Sequence, residues 1–368
     1  MHILVTADTL GGVWTYAREL VTGLVRRGIK VTLVSFGDIP SAAQACWLDA
    51  LPQVDFRPTA FKLEWMQDCE ADMQASSEYL SQVIAEASPD LLHLNQFYYG
   101  ALPGDVPRIV VAHSDVISWW SAVHQHPPAE SAWLHGYRES IARGLAGATT
   151  VVAPSRWMLD QIERHYGKVY NSAVIHNGRT PSLFNPHISK EDTILSVGRL
   201  WDSGKNAALL LKEDMPAPVH IVGVDRHPES QSSAFGAEEL RENVHLQPQQ
   251  DENEMLQLFS RAAIYAATSQ YEPFGLAPVE AALSRCAIVA SDIPPFRELW
   301  EDAAVFFRND DAADLRRVLD GLVRDFSLRQ HYANRAYNHA RAKFTAARMI
   351  DRYLELYHSL MPASVAAQ

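Results

Sequence analysis

Cysteine is scarce in this sequence, which has three such residues in 368 and places them far apart, at Cys46, Cys69 and Cys286. The number is odd, and the sequence has neither a CxxC pair nor a Cys/His spacing typical of zinc sites. Both observations argue against a disulfide framework and against a structural zinc ion.

An excess of positive charge is also missing. Lysine and arginine number 32 against 44 aspartate and glutamate residues, so the formal net charge is −12. General nucleic-acid binding depends on neutralising phosphates, and docking to anionic lipid depends on basic clusters. The charge balance therefore argues against both kinds of partner and leaves small molecules, including a phosphate ligand in a local basic pocket.

Long apolar runs are absent too, since no stretch approaches the roughly 18 residues that a bilayer-spanning helix needs. The sequence opens Met-His-Ile-Leu-Val, without the basic lead of a signal peptide. We therefore expect a cytoplasmic protein without stable membrane association.

What the sequence does contain is the composition of a folded enzyme, with 47% hydrophobic and 21% charged residues. Its length favours two domains. Short runs rich in Val and Ile alternate with helical patterns, which is typical of parallel βαβ units. Strands are predicted at 3–6, 30–35, 91–94, 109–112, 149–152 and 173–175, and in a second series at 193–197, 219–222, 244–246, 263–266 and 287–290.

Between the two series lies 176–186, a stretch rich in turn-forming residues that we interpret as a linker. The predicted fold is α/β, with two doubly wound Rossmann-like domains that face each other across a ligand cleft at the carboxyl ends of their strands. We place the first domain at 1–180 and the second at 187–345.

The segment Glu272–Ala282 carries the most chemical information. A strand leads into a loop with Glu272, and a helix is predicted to start near Pro278, because proline suits a first helical turn. Glu280 would then lie in that first turn, beside free backbone N–H groups that can bind an anion. The alternative is that Glu280 only complements the helix dipole and that Glu272 is solvated.

Two cations follow the first strand of the second series. Arg199 comes directly after Gly198, and Lys205 follows in a turn with Gly204. Two cations at the carboxyl end of a strand can neutralise a diphosphate. They can equally be ordinary surface charges.

Together these segments resemble the retaining glycosyltransferases of family 4, which have the GT-B architecture. Glu272 and Glu280 have the spacing of the E-x7-E signature, and Phe274-Gly275-Leu276 fills the loop between them much as in that family. The resemblance implies that Glu280 holds the ribose of a nucleotide, that Glu272 approaches the donor sugar, and that Arg199 and Lys205 bind the donor diphosphate. Asn206 stands where the family pattern has glycine, a mild departure.

Two further positions in the first domain match the family. Gly11-Gly12 follows the first strand, where a glycine pair lets the backbone approach the diphosphate and sugar in family members; by itself the pair could be a plain βα turn. His113 follows the strand at 109–112, where the family has a histidine against the donor sugar; by itself it could be structural. We also expect the final segment, 346–368, to be a C-terminal helix that returns to the first domain.

The resulting expectation is a retaining transferase that moves a hexose-type sugar from a nucleotide diphosphate sugar to an acceptor hydroxyl on a saccharide or small molecule. Arg199, Lys205, Glu272 and His113 would be its catalytic residues. No cofactor or metal is expected, because the cations can stabilise the leaving group and the acidic pair Asp310-Asp311 is predicted to open a helix. Two alternatives stay open: a nucleotide-sugar epimerase, which would need no acceptor, and a sugar-binding scaffold that has lost catalysis.

Overall fold

The computed structural model describes residues 1–226 and 241–361. The strands in these ranges are β1 (His2–Asp8), β2 (Lys30–Phe36), β3 (Asp55–Pro58), β4 (Leu91–Leu94), β5 (Arg108–Val111), β6 (Thr150–Ala153), β7 (Ser172–Val174), β8 (Glu191–Val197), β9 (Val219–Val222), β10 (Val244–Gln247), β11 (Ala262–Ala267), β12 (Ala287–Ser291) and β13 (Val305–Phe307). The helices are α1 (Gly12–Arg26), α2 (Ala42–Ala45), α3 (Glu70–Ala87), α4 (Val116–His124), α5 (Ala132–Gly147), α6 (Arg156–Tyr166), α7 (Glu252–Arg261), α8 (Leu276–Leu283), α9 (Pro294–Trp300), α10 (Ala312–Arg324), α11 (Phe326–Lys343) and α12 (Ala346–Leu360).

Every strand predicted from the apolar runs is present, with ends that differ by two residues at most. The acidic pair also opens a helix as predicted, because Asp311 caps α10 and its carboxylate accepts a hydrogen bond from the Asp314 N–H at 2.9 Å. Two short strands, β3 and β13, are additions to the prediction. Residues 227–240 of the expected second domain and 362–368 of the expected final helix lie outside the described residues.

The chain divides into two compact units. The first unit comprises 1–121, 126–178 and the chain from 346 on, and the second comprises 122–125 and 179–345. The main stretch of the second unit begins and ends at neighbouring points, since the Arg179 N–H donates to the Phe344 carbonyl at 3.0 Å. Within the described residues, no helix combines the length and the apolar character needed to cross a membrane.

The first unit is built on a parallel sheet with the strand order β3-β2-β1-β4-β5-β6-β7 in the described residues. Helices α1 and α12 cover one face, where Ile350, Tyr353 and Tyr357 of α12 join the core. The order reverses direction between β1 and β4, and the loops that follow these two strands therefore flank a topological switch point, where doubly wound sheets bind ligands.

The second unit repeats the plan with the described strand order β10-β9-β8-β11-β12-β13, again all parallel. Its switch point lies between β8 and β11. The loop after β8 carries Arg199 and Lys205, and the loop after β11 carries Glu272. The topology alone thus brings the predicted cations and the first glutamate to one edge of one sheet.

Helix α5 crosses the loop after β4 at unusually close range. A Cβ atom added to Gly144 would lie 1.8 Å from the carbonyl oxygen of Phe97, whereas one added to Gly136, on the same helix, would meet no heavy atom within 4 Å. Because Gly144 has no side chain, α5 can pack directly against the backbone of the loop after β4.

We expect Gly144→Ala to destabilise the protein by about 2 kcal/mol or more, because the added methyl group meets rigid backbone rather than a side chain that can turn away. Gly136→Ala is the matched control and should stabilise the protein by about 0.5–1 kcal/mol, since it replaces an unconstrained helical glycine. Urea unfolding of both variants measures the difference. Equal stabilities would show that α5 and the loop after β4 can move apart at little cost.

The loop after β4 is also held by Glu64, which lies between β3 and α3. The carboxylate of Glu64 accepts hydrogen bonds from the backbone N–H groups of Phe97 at 3.0 Å and Tyr98 at 2.7 Å. The side chain thereby caps the short 3₁₀-helix Tyr98–Ala101. Burial nevertheless dominates its ionisation and raises the pKa of Glu64 to about 7.

The raised pKa gives a prediction for stability against pH. A carboxyl group that holds its proton more tightly in the folded state stabilises the protein below its ordinary pKa, and this contribution is lost as pH rises from about 4.5 through about 7. We expect the free energy of unfolding of the wild type, relative to Glu64→Gln, to fall by up to about 3 kcal/mol between pH 5 and pH 8. Exposed Glu78, changed to Gln, serves as the control for loss of a charge. A pH-independent difference would contradict the raised pKa of Glu64.

Candidate active site

The second unit brings Lys205 and Glu272 into direct contact. The Nζ atom of Lys205 lies 2.5 Å from Oε2 of Glu272, and about a fifth or less of either side chain is exposed. Ser269 donates a second hydrogen bond to the same Oε2 atom at 3.2 Å. The pair lies between the ends of the two strands that flank the switch point, so a cation and a carboxylate face the region where this fold binds ligands.

Backbone contacts hold the two loops of this site together. The carbonyl of Gly204 accepts from the N–H groups of Gln270 at 2.9 Å and Tyr271 at 3.3 Å, and Thr268 donates its hydroxyl to the Lys205 carbonyl at 2.9 Å. Asn206, the departure from the family pattern, has φ 48° and ψ 37°. Asparagine tolerates this left-handed conformation better than other residues with a Cβ atom, so the turn survives without glycine.

Arg199 lies at the end of β8 but does not touch Glu272. Its Nη2 atom is 2.7 Å from Oδ2 of Asp202, which is buried while Arg199 remains 42% exposed. Asp202 also accepts from the Gly204 N–H at 2.9 Å. Asp202 thus orients both the guanidinium group and the turn before Lys205, a role that the sequence analysis missed because an aspartate in a turn is common.

A small cavity sits beside these groups. It is lined by Ser196, Gly198, Lys205, Tyr265, Thr268 and Ser269, among others. Tyr265 is fully buried below it, where burial and the negative charges of Glu272 and Glu280 raise its pKa. The phenol therefore stays protonated and donates to the Val197 carbonyl at 3.3 Å.

The loop between the two glutamates differs from the prediction in one respect. Helix α8 begins at Leu276, two residues before Pro278, because Gly275 with φ 83° and ψ 97° turns the chain and serves as the N-cap. Glu280 is consequently the fifth residue of the helix, and its assignment to the first turn was wrong. The free N–H groups at the start of α8 belong instead to Leu276 and the residues after it.

The side chain of Phe274 lies in the core, where its ring packs edge-on against that of Phe344 with ring centroids 5.2 Å apart. The side chain of Phe274 is therefore part of the core and does not face a ligand. Leu276 is partly buried against the same core. Both of these side chains of the predicted donor-binding loop thus pack inward.

Glu280 lies apart from the Lys205–Glu272 pair and contacts Arg179. The distance from Arg179 Nε to Glu280 Oε1 is 2.8 Å, and Arg179 is only 4% exposed. Glu252 lies 3.6 Å from Nη2 of the same arginine. Arg179 belongs to the stretch interpreted as a linker, and sequence reasoning missed it because nothing in a turn-rich segment signals a buried cation.

The remaining predicted residues lie in the first unit. Gly11 has φ 75° and caps α1, and Gly12 is the first residue of that helix; both are exposed at the switch point of the first sheet. His113 follows β5 and is half-buried, with Nε2 2.8 Å from Oδ1 of Asn95. Burial lowers the pKa of His113 to about 3, so the imidazole is neutral.

Among residues 1–226 and 241–361, no group of three or more His, Cys, Asp or Glu side chains is arranged to hold a metal ion. Metal independence of the reaction stays a prediction.

Comparison with known proteins places this geometry in a family. The model for Glycosyltransferase Family 4 matches residues 10–183, and the model for Glycosyl transferases group 1 matches residues 183–339. The chain is 29% identical over 144 residues to the O-antigen chain mannosyltransferase RfbU of Salmonella typhimurium, a match covering 38% of this chain and 40% of that protein. It is 35% identical over 106 residues to the lipopolysaccharide core biosynthesis mannosyltransferase LpcC of Rhizobium leguminosarum bv. viciae, covering 28% and 30%. The matches thus span less than half the length of these relatives.

Solved structures show the same fold over the whole chain. Sucrose-phosphate synthase from Thermosynechococcus elongatus superposes with a TM-score of 0.79 at 18% identity and covers 100% of both chains. Anabaena Alr3699/HepE, solved with UDP and glucose, superposes with a TM-score of 0.76 at 18% identity and covers 98% of this chain and 100% of its own. With the two family models together matching residues 10–339, the chain belongs to the glycosyltransferases of the GT-B fold, with the family 4 pattern in its first part and the group 1 pattern in its second.

Proposed function

We propose that the protein is a retaining glycosyltransferase that moves a hexose-type sugar from a nucleotide diphosphate sugar to the hydroxyl group of a saccharide acceptor, without a divalent metal. The observation that carries the proposal is the Lys205–Glu272 pair at 2.5 Å at the switch point of the second sheet. A cation there suits the leaving diphosphate, and a carboxylate suits the hydroxyls of a sugar.

In this mechanism the chain supplies electrostatic stabilisation rather than a nucleophile. Lys205 and Arg199 would stabilise the negative charge that develops on the departing phosphate, and the N–H groups that open α8 would add to it. The departing phosphate would take the proton of the acceptor hydroxyl on the same face of the sugar, so the anomeric configuration is retained. Glu280 would hold the ribose, with Arg179 fixing its carboxylate in place.

The identity of the donor is proposed from the relatives. Two of them are named as mannosyltransferases, and HepE was solved with UDP and glucose. We therefore propose a nucleotide-linked mannose or glucose as the donor. An acceptor that is itself a saccharide fits relatives named for the lipopolysaccharide core and the O-antigen chain.

A thermal-shift panel tests the donor class first, with UDP, GDP, ADP, TDP and their mannose and glucose conjugates, in buffer containing a chelator. A ligand at 100 times its Kd adds about 2.7 kcal/mol, which raises the Tm by a few degrees in a chain of this size. One nucleotide that raises the Tm above the others supports the proposal. A flat panel with folded protein favours the scaffold that has lost catalysis.

Product analysis then tests the reaction. Transfer to a saccharide acceptor, with the product anomer assigned by NMR, supports a retaining transferase if the donor configuration is kept. An inverted product contradicts the retaining mechanism. Conversion of the donor in the absence of any acceptor identifies an epimerase instead.

A further inference from the structure

Asp202 connects the two cations of the candidate site. Its side chain is 5% exposed, and its Oδ2 atom lies 2.7 Å from Nη2 of Arg199. Its Oδ1 atom accepts a hydrogen bond from the N–H of Gly204 at 2.9 Å, and its backbone carbonyl accepts from the N–H of Lys205 at 2.8 Å. One buried residue therefore holds both the guanidinium group and the turn that carries the ammonium group.

Arg199 is held from two sides and still reaches solvent. Besides Asp202, the ring of Trp201 lies beside the guanidinium group, with its centroid 5.2 Å from Cζ, and 42% of the arginine side chain is exposed. Lys205 extends from a neighbouring point of the backbone, because a Cβ atom added to Gly198, the residue before Arg199, would lie 3.4 Å from Cγ of the lysine. An anion at this edge of the sheet can therefore meet both cations.

The negative charge of Asp202 stays in place when a ligand binds. Its carboxylate oxygens are bound to a backbone N–H group of the turn and to the guanidinium group, so the side chain cannot turn away without uncapping the turn. Burial also reduces screening by solvent and salt, which strengthens the effect of the carboxylate on nearby charges. With Lys205 paired to Glu272 and Arg199 paired to Asp202, the two pairs together carry no net charge. The site therefore attracts an anionic ligand less strongly than two unpaired cations would.

The ligands of a sugar transfer differ in charge before and after the reaction. In a nucleotide sugar, each phosphorus of the diphosphate carries one ionisable oxygen. In the released nucleoside diphosphate the terminal phosphate has a second ionisation with a pKa of about 6, so it carries additional negative charge above neutral pH. A negative charge fixed beside the diphosphate therefore weakens the binding of the product more than that of the substrate.

We propose that Asp202 is a specificity-determining residue of the diphosphate site. It orients Arg199 and Lys205, while its own negative charge shifts the preference of the site from the nucleoside diphosphate towards the nucleotide sugar. The nature of the ligand rests on the proposed function. The consequence for turnover is faster release of the nucleoside diphosphate after transfer and weaker inhibition by it.

Binding in the absence of acceptor tests the proposal without catalysis. Calorimetric titrations in buffer with a chelator, at about pH 8 where the terminal phosphate is ionised, give the Kd values of UDP and UDP-glucose and those of GDP and GDP-mannose. In Asp202→Asn we expect the affinity for the nucleoside diphosphate to rise about tenfold relative to that for its sugar conjugate. Asparagine keeps an oxygen for the Gly204 N–H and removes the negative charge.

The matched control is Asp214→Asn in the same unit, because Asp214 also pairs with an arginine, Arg241, but is 76% exposed. It should leave the ratio of the two affinities unchanged. A residue that only capped the turn would weaken both ligands by the same factor. An unchanged ratio in Asp202→Asn, with or without a loss of affinity, would therefore overturn the proposal.

Arg199→Gln keeps the proposal testable should Asp202→Asn fail to fold. Removing the cation should shift the ratio in the opposite direction, towards the sugar conjugate, because the more negatively charged ligand loses more attraction. An unchanged ratio in this variant would show that the site does not sense the additional charge and would overturn the proposal. A wild type that binds none of these ligands would instead overturn the proposed function, and with it the identity of the ligand.

Discussion

Lys205→Met is expected to lower turnover by about three orders of magnitude while the protein stays folded, the size of effect seen when one group that stabilises developing negative charge is removed from an active site. Methionine keeps most of the volume of the lysine side chain and removes only its ammonium group. Glu272, which lies 2.5 Å from that group, would also lose its partner. Single-turnover transfer of the sugar measures the loss, and a melting curve checks the fold.

Glu272→Gln should cost a similar factor because it removes the charge from the other side of the same pair. The double variant is expected to be little worse than either single one, since residues that act as a unit are not additive. Lys212→Met is the matched control: this lysine is 56% exposed and lies 3.6 Å from Asp310 in the same unit. Near-normal turnover in Lys205→Met or Glu272→Gln would contradict the site assignment.

Glu280→Leu is expected to lower the free energy of unfolding by about 3–5 kcal/mol, which is the range for removing one partner of a buried ion pair. Arg179 is 4% exposed and would lose the carboxylate at 2.8 Å, while Glu252, 3.6 Å from the same arginine, is 44% exposed. Urea unfolding measures the effect. The prediction concerns stability and holds whether or not Glu280 also binds the ribose.

The double variant Arg179→Met with Glu280→Leu separates the contribution of charge to this loss of stability from the contribution of packing. If the cost comes from removing a carboxylate that faces a buried positive charge, removing the arginine as well should restore part of the lost stability. Glu242→Leu, in the same unit, is the control for loss of a carboxylate at an exposed position. A double variant as unstable as the sum of both single variants would attribute the effect to packing instead.

The strand pattern could be predicted from sequence because buried parallel strands are continuous apolar runs. Leu91–Leu94 and Val219–Val222 are examples in which the run and the strand coincide. Strand β3, with the sequence Asp-Phe-Arg-Pro, escaped prediction because it lies at the edge of the sheet, where β2 is its only partner among the described strands. Its Asp55 and Arg57 form an ion pair at 3.1 Å, so its polar residues have partners that sequence periodicity does not reveal.

The start of α8 shows how a local signal can mislead. Proline favours the first turn of a helix, and Pro278 does lie in that turn, but as its third residue. The decisive residue is Gly275, whose positive φ sets the helix start two residues earlier than expected. In the sequence, Gly275 and Pro278 are both signals for a helix start, and nothing in it shows which of the two sets the first residue of α8.

The partners of the site residues were the least predictable part. Glu280 meets Arg179, and His113 meets Asn95, across long separations in the chain. Such pairs depend on which loops the sheet topology places side by side. The resemblance to a family supplied the residues expected to touch ligand, but it said nothing of the residues that hold them.

The position of α12 in the chain determines the order in which the two units can be completed during translation. The second unit is almost entirely one continuous stretch of chain, and it is synthesised before the residues of α12 emerge. Until then the face of α1 that receives Ile350 stays uncovered; at Gly23 a Cβ atom would lie 1.9 Å from this isoleucine, so the two helices pack with no room to spare. The first unit, although most of its chain is made first, can therefore be completed only after the second unit has been synthesised, and until then it exposes an apolar surface on α1.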